Sequence, residues 1–289
     1  MTVKTAKTAG FCFGVERAVN TVYEALKKGG DIYTFGPIIH NETVVNELAG
    51  KGVRVISTPE ELKRLDHGTV IIRSHGVAKE IYDILKERGL DYIDATCPFV
   101  LKIHKLVKEA AEAGDHIVIA GDAEHPEVQG ILSFAGAAVT VLKSEEEAGK
   151  FILPSGKKLF LVAQTTFNSK IFNKIVEIFD ERSYSYNTVY TICNATSLRQ
   201  QETAELAEEV DAMIVIGGAH SSNTRKLYDI AKSRCAQTIF VQTLDDLVSR
   251  KNVFCDPASC VGITAGASTP KNIIEEVQNY VRRFWTNAG

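Results

Sequence analysis

The sequence predicts an α/β protein built from three similar units. Three observations carry that prediction. Short apolar runs rich in Val and Ile alternate with amphipathic stretches along the chain, the pattern of mostly parallel strands joined by crossover helices. Three cysteines, Cys12, Cys97 and Cys193, recur 85 and 96 residues apart. His40, His125 and His220 follow those cysteines by 28, 28 and 27 residues, a self-similarity that marks repeated architecture.

In chain order, the strand-like segment VKTAKT (3–8) runs directly into Cys12. A helix over 14–26 follows, with Val15, Ala18, Val19, Val22 and Leu26 on one face. GPIIHN then presents His40 and Asn41 at a Gly-containing strand end. TVIIR (69–73) is a buried strand ending in SHG (74–76), and YIDAT (92–96) is the strand that delivers Cys97. The pattern then repeats. A helix over 98–113 carries Phe99, Val100, Ile103, Leu106, Val107 and Ala110, and HIVIAG (116–121) leads to HPEV (125–128). LFLVA (159–163) ends in QTT (164–166), and VYTI (189–192) is read as the strand before Cys193. In the third round a helix over 195–210 is followed by AMIVIGG (212–218), the SSN loop (221–223) and TAGAS (264–268). This round has no final strand of its own, so the N-terminal segment is expected to close it. The units are therefore 14–96, 97–192, and 193–289 completed by 1–13, with the three cysteines at comparable positions around a pseudo-threefold centre.

Composition narrows the class of function. The chain has 289 residues, 45% hydrophobic and 24% charged, with a formal net charge of −3. That is enough length for a large core, and the charge gives no support to nucleic-acid or membrane-surface binding. No apolar stretch approaches the roughly 18 residues of a membrane span. The N-terminus lacks the apolar core of a signal peptide. A cytoplasmic location is expected, where structural disulfides are disfavoured.

Each of the three spaced cysteines stands just before a helix, where unpaired N–H groups and the positive end of the helix dipole favour thiolate. Three thiolates at a hub suit a metal cluster. A 4Fe–4S cluster with three protein ligands keeps one iron open for Lewis-acid chemistry; zinc with three cysteines and an open position fits the spacing as well. Cys235, Cys255 and Cys260 break the offset pattern and are assigned to structure. Polar strand ends would surround the hub, since ligands of α/β sheets bind outside the carboxyl ends of the strands. These junctions supply imidazoles, hydroxyls, amides and helix N-termini, a set that suits an anionic and in particular a phosphorylated ligand.

The motifs GFCFGVERAV (10–19), HN (40–41), SHG, DATCP (94–98), HPEV, QTT, CNAT (193–196), SSN and TAGAS span nearly the whole chain in order. In them the sequence resembles the 4-hydroxy-3-methylbut-2-enyl diphosphate reductase family, the IspH/LytB enzymes. The resemblance implies a trefoil of three α/β domains around a central iron–sulfur cluster, of 4Fe–4S type, with Cys12, Cys97 and Cys193 as ligands and an open apical iron. It implies substrate binding by His40, His75, His125, Thr165, Ser221, Ser222, Asn223 and Ser268. Glu127 and Thr165 are the implied catalytic pair, relaying protons to the substrate hydroxyl. The implied reaction is reductive dehydroxylation of an allylic diphosphate to isopentenyl and dimethylallyl diphosphate, the last step of the non-mevalonate isoprenoid pathway. Ferredoxin or flavodoxin is the implied electron donor. His220 stands outside the implied site. A quinolinate-synthase- or hydratase-type enzyme would need arginines for carboxylates, and the motif loops hold only Arg73. A non-enzymatic cluster sensor would not need six polar junctions.

Overall fold

The computed structural model describes residues 2–250 and 259–284, and Cys255 lies outside them. The described chain forms twelve strands and twelve helices. In order these are β1 (Thr2–Thr5), α1 (Phe13–Lys28), β2 (Ile32–Phe35), α2 (Glu42–Gly50), β3 (Arg54–Ile56), α3 (Pro59–Lys63), β4 (Thr69–Ile72), α4 (Lys79–Arg88) and β5 (Asp91–Asp94). Next come α5 (Pro98–Glu112), β6 (His116–Ala120), α6 (Pro126–Leu132), β7 (Val139–Leu142), α7 (Glu145–Lys150), β8 (Leu159–Ala163), α8 (Ser169–Glu181) and β9 (Tyr186–Thr188). The last are α9 (Asn194–Glu208), β10 (Ala212–Ile216), α10 (Ser222–Lys232), β11 (Thr238–Val241), α11 (Leu244–Ser249), β12 (Cys260–Ala265) and α12 (Lys271–Phe284).

The strands make three four-stranded sheets with one topology: β3-β2-β4-β5, β7-β6-β8-β9 and β11-β10-β12-β1. Every pairing is parallel. Parallel sheets need crossovers and are covered on both faces, so their inner strands read as unbroken apolar runs. β6, β8 and β10 are buried at every position for that reason. The last sheet takes its edge strand from the other end of the chain: Val3 is in register with Val261 and Thr5 with Ile263. The described residues divide into two compact parts. One draws on 1–16, 39–47 and 194–289 and contains the sheet of β10, β11, β12 and β1; the other draws on 17–38 and 48–193 and contains the remaining two sheets.

The sheets repeat in their loops as well as their strands. Gly36, Gly121 and Gly217 each stand 24 residues after a spaced cysteine. Their N–H groups donate to Ile56, Leu142 and Val241, the corresponding carbonyls of the neighbouring strand, at 2.7, 2.9 and 3.0 Å. At the second junction one turn recurs three times, closed by Gly76 N–H to Arg73 O, Phe167 N–H to Gln164 O and Thr269 N–H to Gly266 O at 3.0, 2.9 and 3.0 Å.

Two expectations shift. Residues 189–192 are not a strand; β9 ends at Thr188. Thr191 replaces the ladder with its side chain, its hydroxyl donating to Ala163 O at 2.6 Å and accepting from Ala163 N–H at 2.7 Å. The third histidine landmark also moves. His125 caps α6 and Ser221 caps α10, so Ser221 occupies the position that matches His125. The His220 side chain is 76% exposed and lies 3.7 Å from Glu42.

Candidate active site

Each spaced cysteine is half-buried and stands between an edge strand and a long helix. Its backbone is fixed in the same way three times. Cys12 N–H donates to Ala267 O at 3.2 Å, Cys97 N–H to Ser74 O at 2.9 Å and Cys193 N–H to Thr165 O at 3.0 Å. Each acceptor sits in the turn after the adjacent strand, so the polar junctions hold the cysteines directly. Arg17 of α1 donates to Thr96 O at 2.8 Å and Asp94 O at 3.2 Å, holding the segment that enters Cys97. Arg199 of α9 donates to Thr8 O at 2.6 and 2.9 Å and to Gly10 O at 2.9 Å, holding the segment that enters Cys12. The sequence reading missed both arginines; basic residues five and six positions beyond a cysteine were the available signal.

Each spaced cysteine offers a sulfur donor of the type that iron–sulfur clusters take. Each stands at the start of a helix of 15 or 16 residues, a position whose dipole favours a thiolate ligand. Cys97 is the N-cap of α5, yet its side chain makes no cap bond.

In the part holding β6 and β8, Glu127 and Thr165 form a buried pair. Glu127 is 1% exposed. Its Oε1 accepts from Thr165 N–H at 2.6 Å and its Oε2 from the Thr165 hydroxyl at 2.7 Å. HPEV places the carboxylate there because Pro126 opens α6 and His125 caps it, Pro being suited to the first helical position. His125 Nδ1 accepts from Glu127 N–H at 3.1 Å. A neutral ring whose Nδ1 accepts carries its hydrogen on Nε2, which is then a donor suited to an anion. His75 is 5.6 Å from His125, ring centre to ring centre, and its Nδ1 is 3.3 Å from the Ser74 hydroxyl. The Arg73 guanidinium faces Gly36 and its Nε donates to Gly76 O at 3.2 Å, while burial lowers its pKa to about 10.

In the other part, the start of α10 is lined by small polar side chains. Ser221 caps the helix by accepting from Thr224 N–H at 3.3 Å. Ser222 Oγ accepts from Lys226 Nζ at 3.3 Å. Asn223 is 4% exposed, and neither its Nδ2 nor its Oδ1 has a hydrogen-bond partner among the described residues. The Ser268 hydroxyl donates to His40 O at 3.1 Å. Gly218 has no room for a side chain, because a Cβ there would fall on the same carbonyl of His40.

The LytB protein family model matches residues 3–282. The chain belongs to the LytB family. Among its LytB relatives, the 4-hydroxy-3-methylbut-2-enyl diphosphate reductase of Geotalea uraniireducens is 42% identical over 284 residues, 98% of each chain. The protein of the same name from Caldanaerobacter subterraneus subsp. tengcongensis is 43% identical over 279 residues, 96% of this chain and 95% of that one. Among solved structures, the E-1-hydroxy-2-methyl-but-2-enyl-4-diphosphate reductase of Plasmodium falciparum is similar with a TM-score of 0.90 at 30% identity, covering 98% of this chain and 88% of that one. A second structure, of (E)-4-hydroxy-3-methyl-but-2-enyl diphosphate reductase, the terminal enzyme of the non-mevalonate pathway, is similar at 0.68 and 41% identity over 98% of this chain and all of that one. In this LytB chain, no described helix is long and apolar enough to cross a membrane.

Proposed function

We propose that this chain reduces (E)-4-hydroxy-3-methylbut-2-enyl diphosphate to isopentenyl and dimethylallyl diphosphate as the last step of the non-mevalonate isoprenoid pathway. The observation that carries the reading is the Asn223 amide, buried with both polar atoms unpartnered among the described residues. A buried polar group left unsatisfied costs about 1–3 kcal/mol, and such groups in native structures call for an explanation. An anionic, oxygen-rich ligand at the α10 N-terminus supplies one.

In this reading Ser221, Ser222, Asn223 and Ser268, with imidazole N–H groups of His40, His75 and His125, bind the diphosphate. That binding energy positions the carbon skeleton for reaction. The C4 hydroxyl is a poor leaving group and must depart as water. Glu127, once protonated, supplies the proton for that step: the Thr165 hydroxyl, 2.7 Å away, passes its own hydrogen to the substrate oxygen and takes the one from Glu127. The balance is two electrons and two protons consumed for one C–O bond broken, one C–H bond formed and one water released, the water and the new C–H bond taking one proton each. A 4Fe–4S cluster with thiolate ligands Cys12, Cys97 and Cys193 would supply the electrons singly and an open, Lewis-acidic apical iron. Ferredoxin or flavodoxin is the proposed electron donor. The described remaining cysteines have structural settings: Cys235 is buried in an apolar cluster with Leu206, Met213 and Leu227, and Cys260 opens β12.

The test is anaerobic cluster reconstitution, followed by turnover with dithionite and a viologen dye. About four irons per chain, and both products formed with loss of water, are expected. Stoichiometric zinc and no chromophore after anaerobic purification would defeat the cofactor assignment. A brown, iron-loaded protein that leaves this substrate unchanged would defeat the reaction.

A further inference from the structure

His104 is a buried imidazole that the proposed reaction does not use. It lies two turns into α5, the helix capped by Cys97, and is 5% exposed. One face of its ring stacks on Phe134, with centroids 4.6 Å apart and planes inclined by 23°. The Cε1–Nε2 edge of the ring meets two glycines. A Cβ on Gly76 would come within 3.0 Å of Cε1, and a Cβ on Gly130 within 3.3 Å of Nε2. Gly76 ends the SHG turn that carries His75. Gly130 belongs to α6, the helix that carries Glu127 and is capped by His125. The ring therefore occupies space that two glycines leave open between the two loops. Its Nε2 has no hydrogen-bond partner among the described residues, so a polar atom is buried here at a cost that an apolar side chain would avoid.

We propose that His104 is a positioning residue whose flat ring sets the separation between the His75 turn and the Glu127 helix. It rests on the reading of His75 as a diphosphate donor and Glu127 as the proton source. Ordinary packing explains a buried ring; it does not explain an unsatisfied imidazole seated between the turn that carries His75 and the helix that carries Glu127. A larger side chain would push the loops apart, and a smaller one would let them close. Either change alters the distance over which Glu127 and His75 act on one substrate, and geometry of this kind governs rate steeply.

Gly130 supplies the decisive comparison. Replacing a helical glycine by alanine is ordinarily stabilising, and Gly130 carries no left-handed backbone to oppose it. In the holoenzyme, His104→Ala is expected to lower kcat at least tenfold, with iron content unchanged and KM moved less. Gly130→Ala, which presses a methyl group on the ring, is expected to lower kcat several-fold. The double variant His104→Ala/Gly130→Ala is expected to be no slower than His104→Ala alone, because the methyl then enters vacated space. Such strong non-additivity is the signature of contact. His104→Gln serves if the alanine variant fails to fold, with the same expected fall in kcat. A substrate-independent arm follows the ring 15N resonances of His75 and His125, which are expected to move in both His104 variants. Iron-loaded His104 variants with kcat within twofold of the parent, additive losses in the double variant, or unmoved His75 and His125 resonances would each overturn the proposal. If the parent protein itself fails to turn over the substrate, the functional reading fails, and the resonance arm still decides the positioning role.

Discussion

Glu127 accepts twice from one residue, the Thr165 N–H at 2.6 Å and hydroxyl at 2.7 Å. This geometry fixes the carboxylate and sets one hydroxyl against it. The isosteric Glu127→Gln keeps one acceptor oxygen but cannot release a proton. Turnover per cluster is expected to fall by about 10²–10⁴, the usual contribution of a general acid, with substrate affinity retained. Near-normal turnover in a fully iron-loaded Glu127→Gln enzyme would transfer the proton role elsewhere. Asn223 gives the complementary prediction about binding. Asn223→Ala removes a buried amide whose two polar atoms lack partners among the described residues, so the protein without substrate should be no less stable. Affinity for the substrate, or for inorganic diphosphate as competitor, is expected to weaken by roughly 1.5–3 kcal/mol, the worth of a hydrogen bond to a charged group. Calorimetry that finds unchanged affinity with lowered stability would make Asn223 a structural residue. The resemblance singles out these side chains through short motifs at strand ends, and the structure shows both buried. The resemblance also pairs Glu127 with Thr165, although the contact joins residues 38 apart and no local pattern specifies it; the donation from the Thr165 N–H is what only the structure adds.

At the scale of the element, α5 could be read from its apolar face, and Val100, Ile103 and Val107 are indeed buried. α9 has a different basis. It buries Thr196, Arg199, Gln200 and Thr203 along with Leu206 and Ala207, so it has no clean apolar stripe to read. Its expected place followed from position after Cys193, and its polar burial has specific partners. Thr203 and Thr264 share a hydrogen bond at 2.9 Å, and Arg199 holds the carbonyls of Thr8 and Gly10. Arg199 thereby ties the start of α9 to the chain entering Cys12. Lysine cannot replace it, since one ammonium lacks the planar fork that serves several acceptors at once. Arg199→Lys is expected to retain the fold, as judged by circular dichroism, and to lose iron faster than the parent on exposure to a chelator. Equal rates of iron loss would show that the β1–α1 segment holds its conformation without the clamp. The misplaced strand at 189–192 has a comparable origin. The run is β-prone, but the Thr191 side chain takes the hydrogen bonds of Ala163, a substitution that composition does not reveal.

At the scale of the whole molecule, the threefold sequence rhythm corresponds to three sheets of identical strand order, and the same equivalence extends to hydrogen bonds that hold each cysteine. Repetition made the architecture readable from one sequence, because each landmark was tested three times. The repeats depart from one another in side chains: Glu127 and Asn223 each stand two residues after a matching helix cap, yet one is an acid and the other an amide. Two buried histidines contribute to the molecule's response to acid. Burial lowers the pKa of His104 to about 4 against an opposing pull from Asp94, and burial with the nearby charge of Lys157 lowers that of His116. The unfolded chain takes up protons on both near pH 6.5, whereas the folded protein resists until lower pH. The unfolded state therefore binds more protons below about pH 6.5, and stability falls as the solution is acidified. For His104 the displacement from 6.5 to about 4 corresponds to about 3 kcal/mol, fully present above the unfolded value and lost towards pH 4. The comparison that isolates the ring is between the parent and His104→Gln, which differ only in the titrating group. The melting temperature of the parent is expected to fall more steeply between pH 6.5 and 4.5 than that of the variant, with the curves parallel above pH 7. Parallel curves throughout would show that the ring is protonated as readily in the folded protein as in the unfolded chain.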